Sequence, residues 1–232
     1  MTKTLVSKTI HTCEFCNHEF KSDIVFAKHI CRDKARWNSR DLTPNRIGFQ
    51  CWISFFKKTA MSHKNNTMQD FIKSPYFTAF VKFGLYCSDS KVINIPAFVD
   101  WLLSRNIKID HWNRDSHYTK FLIDYLRTED AFDAIARSVE TCSELAEEYE
   151  TETKDVLKNV SPYKISSYVA TGKISPWLLY QSNTGVQLLS TLTEDNVKIL
   201  IDYIDPEKWN AKFMRDKQTT KKIKDLLNEI GF

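Results

Sequence analysis

The chain is poor in glycine, with five in 232 residues, about 2% where soluble domains average about 7%. Hairpin-rich folds need glycine at their turns, so the scarcity points away from an all-β architecture and toward helices. No run approaches the roughly 18 consecutive apolar residues of a membrane-spanning helix. The opening MTKTLVSKTIHTC also lacks the apolar stretch and small-residue cleavage site of a secretory signal. A cytoplasmic location without a membrane partner is therefore expected. Also missing are a glycine-rich phosphate loop, a G-x-S-x-G elbow, an H-E-x-x-H pair and the paired motif of zinc deaminases. No catalytic residue is assigned. Asp110, His111, Asp115 and His117 cluster in a polar stretch and read as caps and surface groups.

What is present is an uneven distribution of cysteine and of charge. Of six cysteines, Cys13, Cys16 and Cys31 lie close together, whereas Cys51, Cys87 and Cys142 sit alone on apolar-patterned segments and read as small core residues. In a reducing compartment closely spaced cysteines point to metal ligation rather than to disulfides. The net charge is only +4. Residues 1–64 nevertheless hold twelve Lys or Arg against five acids, and residues 129–155 hold ten acids against two basic residues. A basic head and an acidic middle give the chain a directional surface.

Periodicity predicts an all-α, multi-helix body with a small ββα-like module at the N-terminus. Thr12 to Phe20 suit a knuckle or hairpin, with Ser22 and Asp23 as cap and first turn of a short helix. The basic segment CRDKARWNSRDLTPNR reads as a connector. Helices are expected from Arg46 to about Ala60, after a Thr67 cap as one helix or a pair, and after Asn94 with Pro96 near the start. The stretch IDHWNRDSH reads as a polar turn. A long acidic helix is expected from Thr128 to about Glu150, with Phe132, Ile135, Val139, Cys142 and Leu145 as its buried stripe. Short helices separated by Pro and Gly complete the chain. SPYKISSYVATGKISPWLLYQS resembles a helix-turn-helix, but its second helix is too apolar for recognition, so a core αα-hairpin is preferred. Lys221, Lys222 and Lys224 read as a solvated helix face. The expected divisions are 1–45 for the module and connector, 46–155 for a helical domain and 156–232 for a C-terminal helical subdomain packed on it.

Two thiolates two residues apart can reach one ion from a tight turn while a following helix supplies further ligands. Cys13-x2-Cys16-x3-Phe20-x5-Phe26-x2-His29 has this form, and it resembles the Cys2His2 or Cys2HisCys zinc-finger family through the first histidine. The resemblance implies one structural Zn2+, with Phe20 and Phe26 as a miniature core. The fourth ligand departs from the family spacing. Cys31 is the nearest good donor, with His18, His11 and Asp33 as alternatives. Residues two apart on a helix face different ways, so Cys31 serves only if the helix ends near His29 and the chain turns back. Four protein ligands leave no open position, which disfavours hydrolytic chemistry.

Aligned on His29, the positions that read bases in DNA-binding fingers hold Ser22, Val25 and Lys28, with Ile24 beside them. Val and Ile make no bidentate bonds to base edges, so a sequence-specific reader is not expected. The first functional expectation is instead sequence-tolerant nucleic-acid binding through Lys28, Arg32, Lys34, Arg36, Trp37 and Arg40. The second is a protein-binding adaptor acting on a replication, transcription or host-defence component. An enzyme with an unrecognised site is the third. Taken together, CEFC, KHICRDKARW, FVKFGLYC and KISPWLLY resemble segments of zinc-finger-headed proteins of large tailed bacteriophages. That resemblance implies an accessory protein acting in the host cytoplasm.

Overall fold

The computed structural model describes residues 10–59 and 66–232. Most of the expected break MSHKNNT, and the expected helix end at Ala60, lie outside the described residues. The chain divides into two compact units, Met1–Asn113 and Arg114–Phe232. The expected boundary at 45/46 falls inside a helix of the first unit, and that at 155/156 falls inside the second. The body is all-α, and the only strands among the described residues are one short antiparallel pair. No helix there is long and apolar enough to cross a membrane.

In the first unit, β1 (His11–Thr12) pairs with β2 (Glu19–Phe20), placing His11 opposite Phe20. There follow α1 (Asp23–Lys28), α2 (Arg32–Asn38), α3 (Thr43–Thr59), α4 (Met68–Lys73), α5 (Phe77–Asp89) and α6 (Ile95–Ser104). Thr67 and Asp70 form a reciprocal capping box that starts α4. Ser74 and Pro75 then separate α4 from α5, because proline has no N–H to continue the ladder. The Asn94 side chain accepts from the Ala97 N–H at 3.0 Å and caps α6.

Helices α3 and α5 meet backbone to backbone through two glycines. A Cβ on Gly84 would lie 2.1 Å from the Pro44 carbonyl oxygen, and one on Gly48 would lie 2.7 Å from that of Phe80. Phe55, Phe80 and Phe83 surround the fully buried Trp112, with ring centroids 5.2 to 6.1 Å from it. The polar reading of IDHWNRDSH is thus corrected at one position. Ile109–His111 is a 3-10 turn, and it carries Trp112 into the core while its Nε1 donates to the Ile107 carbonyl at 2.9 Å.

The second unit comprises α7 (Asp115–Tyr125), α8 (Ala131–Glu148), α9 (Val156–Asn159), α10 (Pro162–Ala170), α11 (Pro176–Gln181), α12 (Asn183–Ser190), α13 (Glu194–Ile204), α14 (Pro206–Arg215) and α15 (Lys217–Glu229). The acidic helix α8 is rotated from its expected stripe. Ala134, Ile135, Ser138, Thr141, Cys142 and Leu145 are buried, whereas Phe132 is exposed and Val139 only partly covered. The polar members of that face explain the shift. Ser138 donates to the Ala134 carbonyl at 2.7 Å and accepts from the Ser175 N–H at 2.8 Å, so α8 turns this row toward the loop joining α10 and α11. Arg137 clamps the same loop, donating to the Gly172 carbonyl at 2.8 Å and forming an ion pair at 2.7 Å with the buried Glu129. Gly172 takes a φ of +80° there, a turn that glycine adopts freely. Pro176, Trp177, Leu178 and Leu179 of α11 are all buried, which makes α10 and α11 a core hairpin and leaves no reading helix there.

Candidate metal centre

The N-terminal module brings together the four expected ligands. The ligand atoms of Cys13, Cys16, His29 and Cys31 all lie within 4.8 Å of one another, and among the described residues no other group of three or more Cys, His, Asp or Glu converges in this way. His11, His18 and Asp33, the alternatives for the fourth position, lie outside the group, and Asp110, His111, Asp115 and His117 form no second one.

Local sequence explains the convergence. The turn between the two cysteines closes with the Asn17 N–H donating to the Cys13 carbonyl at 2.8 Å and the Cys13 N–H to the His18 carbonyl at 3.0 Å. Asn17 has a φ of +56°, a left-handed conformation that asparagine tolerates. Ser22 occupies the cap position of α1 without a side-chain cap bond, so the expected capping is replaced by a different tie. Asp23 pairs instead with His11 on β1, whose ring stacks on Phe26. Phe20 contacts Phe26 at 5.7 Å and His29 at 4.6 Å between centroids, which fixes the imidazole against the small core. Helix α1 stops at Lys28, and His29 takes an extended ψ of 124°, so the chain does turn back at the place Cys31 requires.

Cys31 begins the next element. It is the N-cap of α2, its sulfur accepting from the Lys34 N–H at 3.4 Å. The segment expected to be a connector is thus largely helical. The Lys34 amine reaches back to the His29 carbonyl at 3.1 Å and closes the turn between the two ligands.

The spacing fits an ion of zinc's size. Metal–ligand distances of about 2.3 Å for sulfur and 2.0–2.1 Å for nitrogen imply tetrahedral edges of about 3.8 Å between sulfurs and about 3.5 Å between sulfur and nitrogen. Cys13 Sγ and Cys31 Sγ are 4.0 Å apart, and Cys16 Sγ and His29 Nε2 are 3.3 Å apart. The sulfurs are too distant for a disulfide, whose bond is about 2.05 Å. Ionisation at the site is unequal. Burial pushes the Cys13 thiol up, but hydrogen bonds from the Cys16 and Phe15 backbone outweigh it and leave Cys13 below its ordinary value. The His18 backbone pulls Cys16 down, but burial and the Cys13 and Cys31 sulfurs outweigh that and leave it raised. Like charges so close cannot all develop without a cation among them, which a metal ion supplies.

The six residues expected to meet nucleic acid are distributed around this module. Lys28 and Arg32 are exposed, and Arg32 bonds the neighbouring Asp33 at 2.9 Å, which raises its own pKa. Arg36 is turned inward. It donates to the Ile72 carbonyl at 2.7 Å and lies 4.3 Å over the Phe77 ring, and burial, aided by Arg32, lowers its pKa. Arg40 stacks on Trp37 at 4.5 Å and donates to the Trp37 carbonyl at 3.0 Å. Trp37 is half-buried against Phe15 of the cysteine turn and borders a cavity of about 210 Å³ shared with Glu14 and Asp33. The residues absent from the expected site are Phe15, Ile72 and Phe77, which seat the module on α4 and α5. An aromatic inside a C-x2-C turn was the sequence signal for Phe15, and helical spacing with Phe80 and Phe83 marked Phe77 as core. On the opposite account, Ile24, Val25 and Ile30 are 69%, 55% and 68% exposed.

Comparison of the chain with family models, with curated proteins and with solved structures returned no match. The resemblance to phage proteins gains no support from them.

Proposed function

We propose that the head is a zinc-stapled docking module of a non-enzymatic adaptor, and that it presents an apolar face to a protein partner. The observation that carries this reading is the exposure of Ile24 and Val25 at and beside the positions a base-reading finger would offer to DNA, with the exposed Ile30 following α1. Isolated exposed apolar residues are ordinary, but three on a module this small, beside Lys28 and Arg32, suit a partner with an apolar knob flanked by carboxylates. Zinc is the metal best suited to three thiolates and one imidazole in a tetrahedron with no open position.

The test pairs Ile24→Asp/Val25→Asp with Arg32→Glu/Arg40→Glu, both in zinc-loaded full-length protein. Crosslinked partners recovered from the producing cell are identified, purified and titrated against each form. The adaptor reading expects a purified acidic partner to lose binding to the Asp pair while a weaker effect follows the Glu pair. Equal binding by wild type and the Asp pair would sink it.

Sequence-tolerant nucleic-acid binding through the α2 segment is the second reading, favoured by the exposed Lys28 and Arg32 beside the half-buried Trp37. Against it, Lys34, Arg36 and Arg40 already hold bonds within the chain, and Glu14 and Asp33 border the same cavity. It predicts salt-sensitive binding that disappears with Arg32→Glu/Arg40→Glu.

A further inference from the structure

Far from the metal centre in sequence, α15 is anchored by two buried side chains, Ile223 and Leu227, one turn apart. The Asp216 carboxylate caps it by accepting from the Thr219 N–H at 3.1 Å. With that face fixed against its unit and Thr219 and Thr220 half-buried, the exposed residues up to the middle of the helix are Lys217, Gln218, Lys221, Lys222 and Lys224, preceded by Arg215 and the capping Asp216. Lys217, Lys221 and Lys224 follow the i, i+4, i+7 pattern of one helix face and span about 10 Å of axis. Carboxylates return only at Asp225 and Glu229, in the second half.

Four other lysines of the unit differ from these five cations. Lys154, Lys164, Lys198 and Lys208 each pair with a nearby carboxylate, at 2.7 to 3.3 Å. Among the described residues, none of Arg215, Lys217, Lys221, Lys222 and Lys224 has an ion-pair partner. Like charges at i, i+4 repel, and a polyanion laid along the face would relieve that repulsion.

The chemistry of the stripe selects among polyanions. A protein interface is centred on a buried apolar or aromatic anchor, and the stripe has none. Single-stranded nucleic acid is held by stacking on aromatic side chains, and none projects from this half of α15. An A-form RNA duplex has a major groove too narrow for a helix, whereas that of B-form DNA, about 12 Å wide, admits one. The positive end of the helix dipole adds to the lysines at the same end, and Gln218 offers a further donor to phosphate oxygen. We propose that the N-terminal half of α15 is a docking surface for the backbone of double-stranded DNA, independent of the head.

Anisotropy of a labelled duplex of about 20 base pairs, titrated with full-length zinc-loaded protein between about 50 and 200 mM salt, tests this. Neutralising close to five phosphates predicts a log–log salt slope of about −4. Lys217→Gln/Lys221→Gln/Lys224→Gln reduces its magnitude by nearly 3, about 1 per contact removed, while Arg32→Gln/Arg40→Gln leaves it unchanged. The substituted side chains are exposed, so an unaltered circular-dichroism melt certifies the fold. No duplex binding at low salt would overturn the proposal, as would a slope that the triple variant leaves intact. Equal affinity for single strands or duplex RNA overturns it too. So does displacement of the duplex by polyglutamate at equal charge, which points to an acidic protein instead. Loss of duplex binding in the Arg32/Arg40 variant alone assigns the DNA to the α2 segment and rejects α15.

Discussion

Replacing Gly84 by alanine tests the α3–α5 crossing, and its expected sign is opposite to the usual one. In the middle of a helix alanine is favoured over glycine by about 1 kcal/mol, so a Gly→Ala change on an open helix face stabilises. At Gly84 the added methyl would stand 2.1 Å from the Pro44 carbonyl oxygen and 2.8 Å from the Gly48 nitrogen. Both obstructing atoms are backbone, so no side-chain rotation relieves them, and the helices must part by roughly 1 Å. A gap of that size forfeits a quarter to a half of the dispersion energy of each contact it opens. Strain of this kind costs about 1–3 kcal/mol, sometimes more. Because both helices share the cluster around Trp112, we expect strain near the upper end of that range and a net loss of about 2 kcal/mol after the propensity gain. For a unit of this size that lowers the melting temperature by about 8 °C. Thermal unfolding of zinc-saturated protein, followed by circular dichroism and by tryptophan fluorescence, reads the change. A Gly84→Ala protein that melts at or above the wild type would show that the helices do not touch backbone to backbone.

Other expectations concern the cysteines and the buried ion pair. Burial pushes the thiols of Cys51 and Cys142 up to about 12 and raises that of Cys87 as well, so none is a useful nucleophile near pH 8 while its unit is folded. In zinc-loaded protein a thiol reagent should therefore label no cysteine quickly; after chelation Cys13, Cys16 and Cys31 react, and the other three wait for unfolding. Rapid labelling of Cys51 before chelation would contradict the packing. Native mass spectrometry should find one zinc per chain, and Cys31→Ser should weaken zinc binding by about 100-fold or more, since it removes a direct ligand; unchanged affinity would place the fourth ligand elsewhere. Arg137→Met strands Glu129 in the core and should cost the second unit about 3–5 kcal/mol. A chemical-denaturation shift below about 1 kcal/mol would mean the pair is solvated.

How much could be read beforehand depended on whether a signal was local. The candidate metal site was legible because a C-x2-C turn and a histidine one helix later impose short-range geometry, and the Thr67 and Asn94 caps announce themselves within three residues. The turn at His29 was legible too, since Cys31 could reach the ion in no other way. Trp112 was not, because its burial depends on α3 and α5 converging on a stretch whose neighbours are polar. The rotation of α8 escaped for a related reason. Apolar periodicity counts Phe132 and Val139, but Ser138 and Thr141 are buried by hydrogen bonds to a loop more than thirty residues away, at Ser175 and Lys173. Nor does periodicity tell a connector from α2, whose first turn is capped by the sulfur of Cys31 accepting from the Lys34 N–H.

That sulfur has a wider consequence. Cys31 is at once a corner of the metal site and the first anchor of the helix that carries Arg36 to the Ile72 carbonyl. The candidate site and the helix therefore share one residue. In a chain built this way, an ion held by the four side chains would also steady the start of α2, so metal loss would be felt at Arg36 as well as at the thiols.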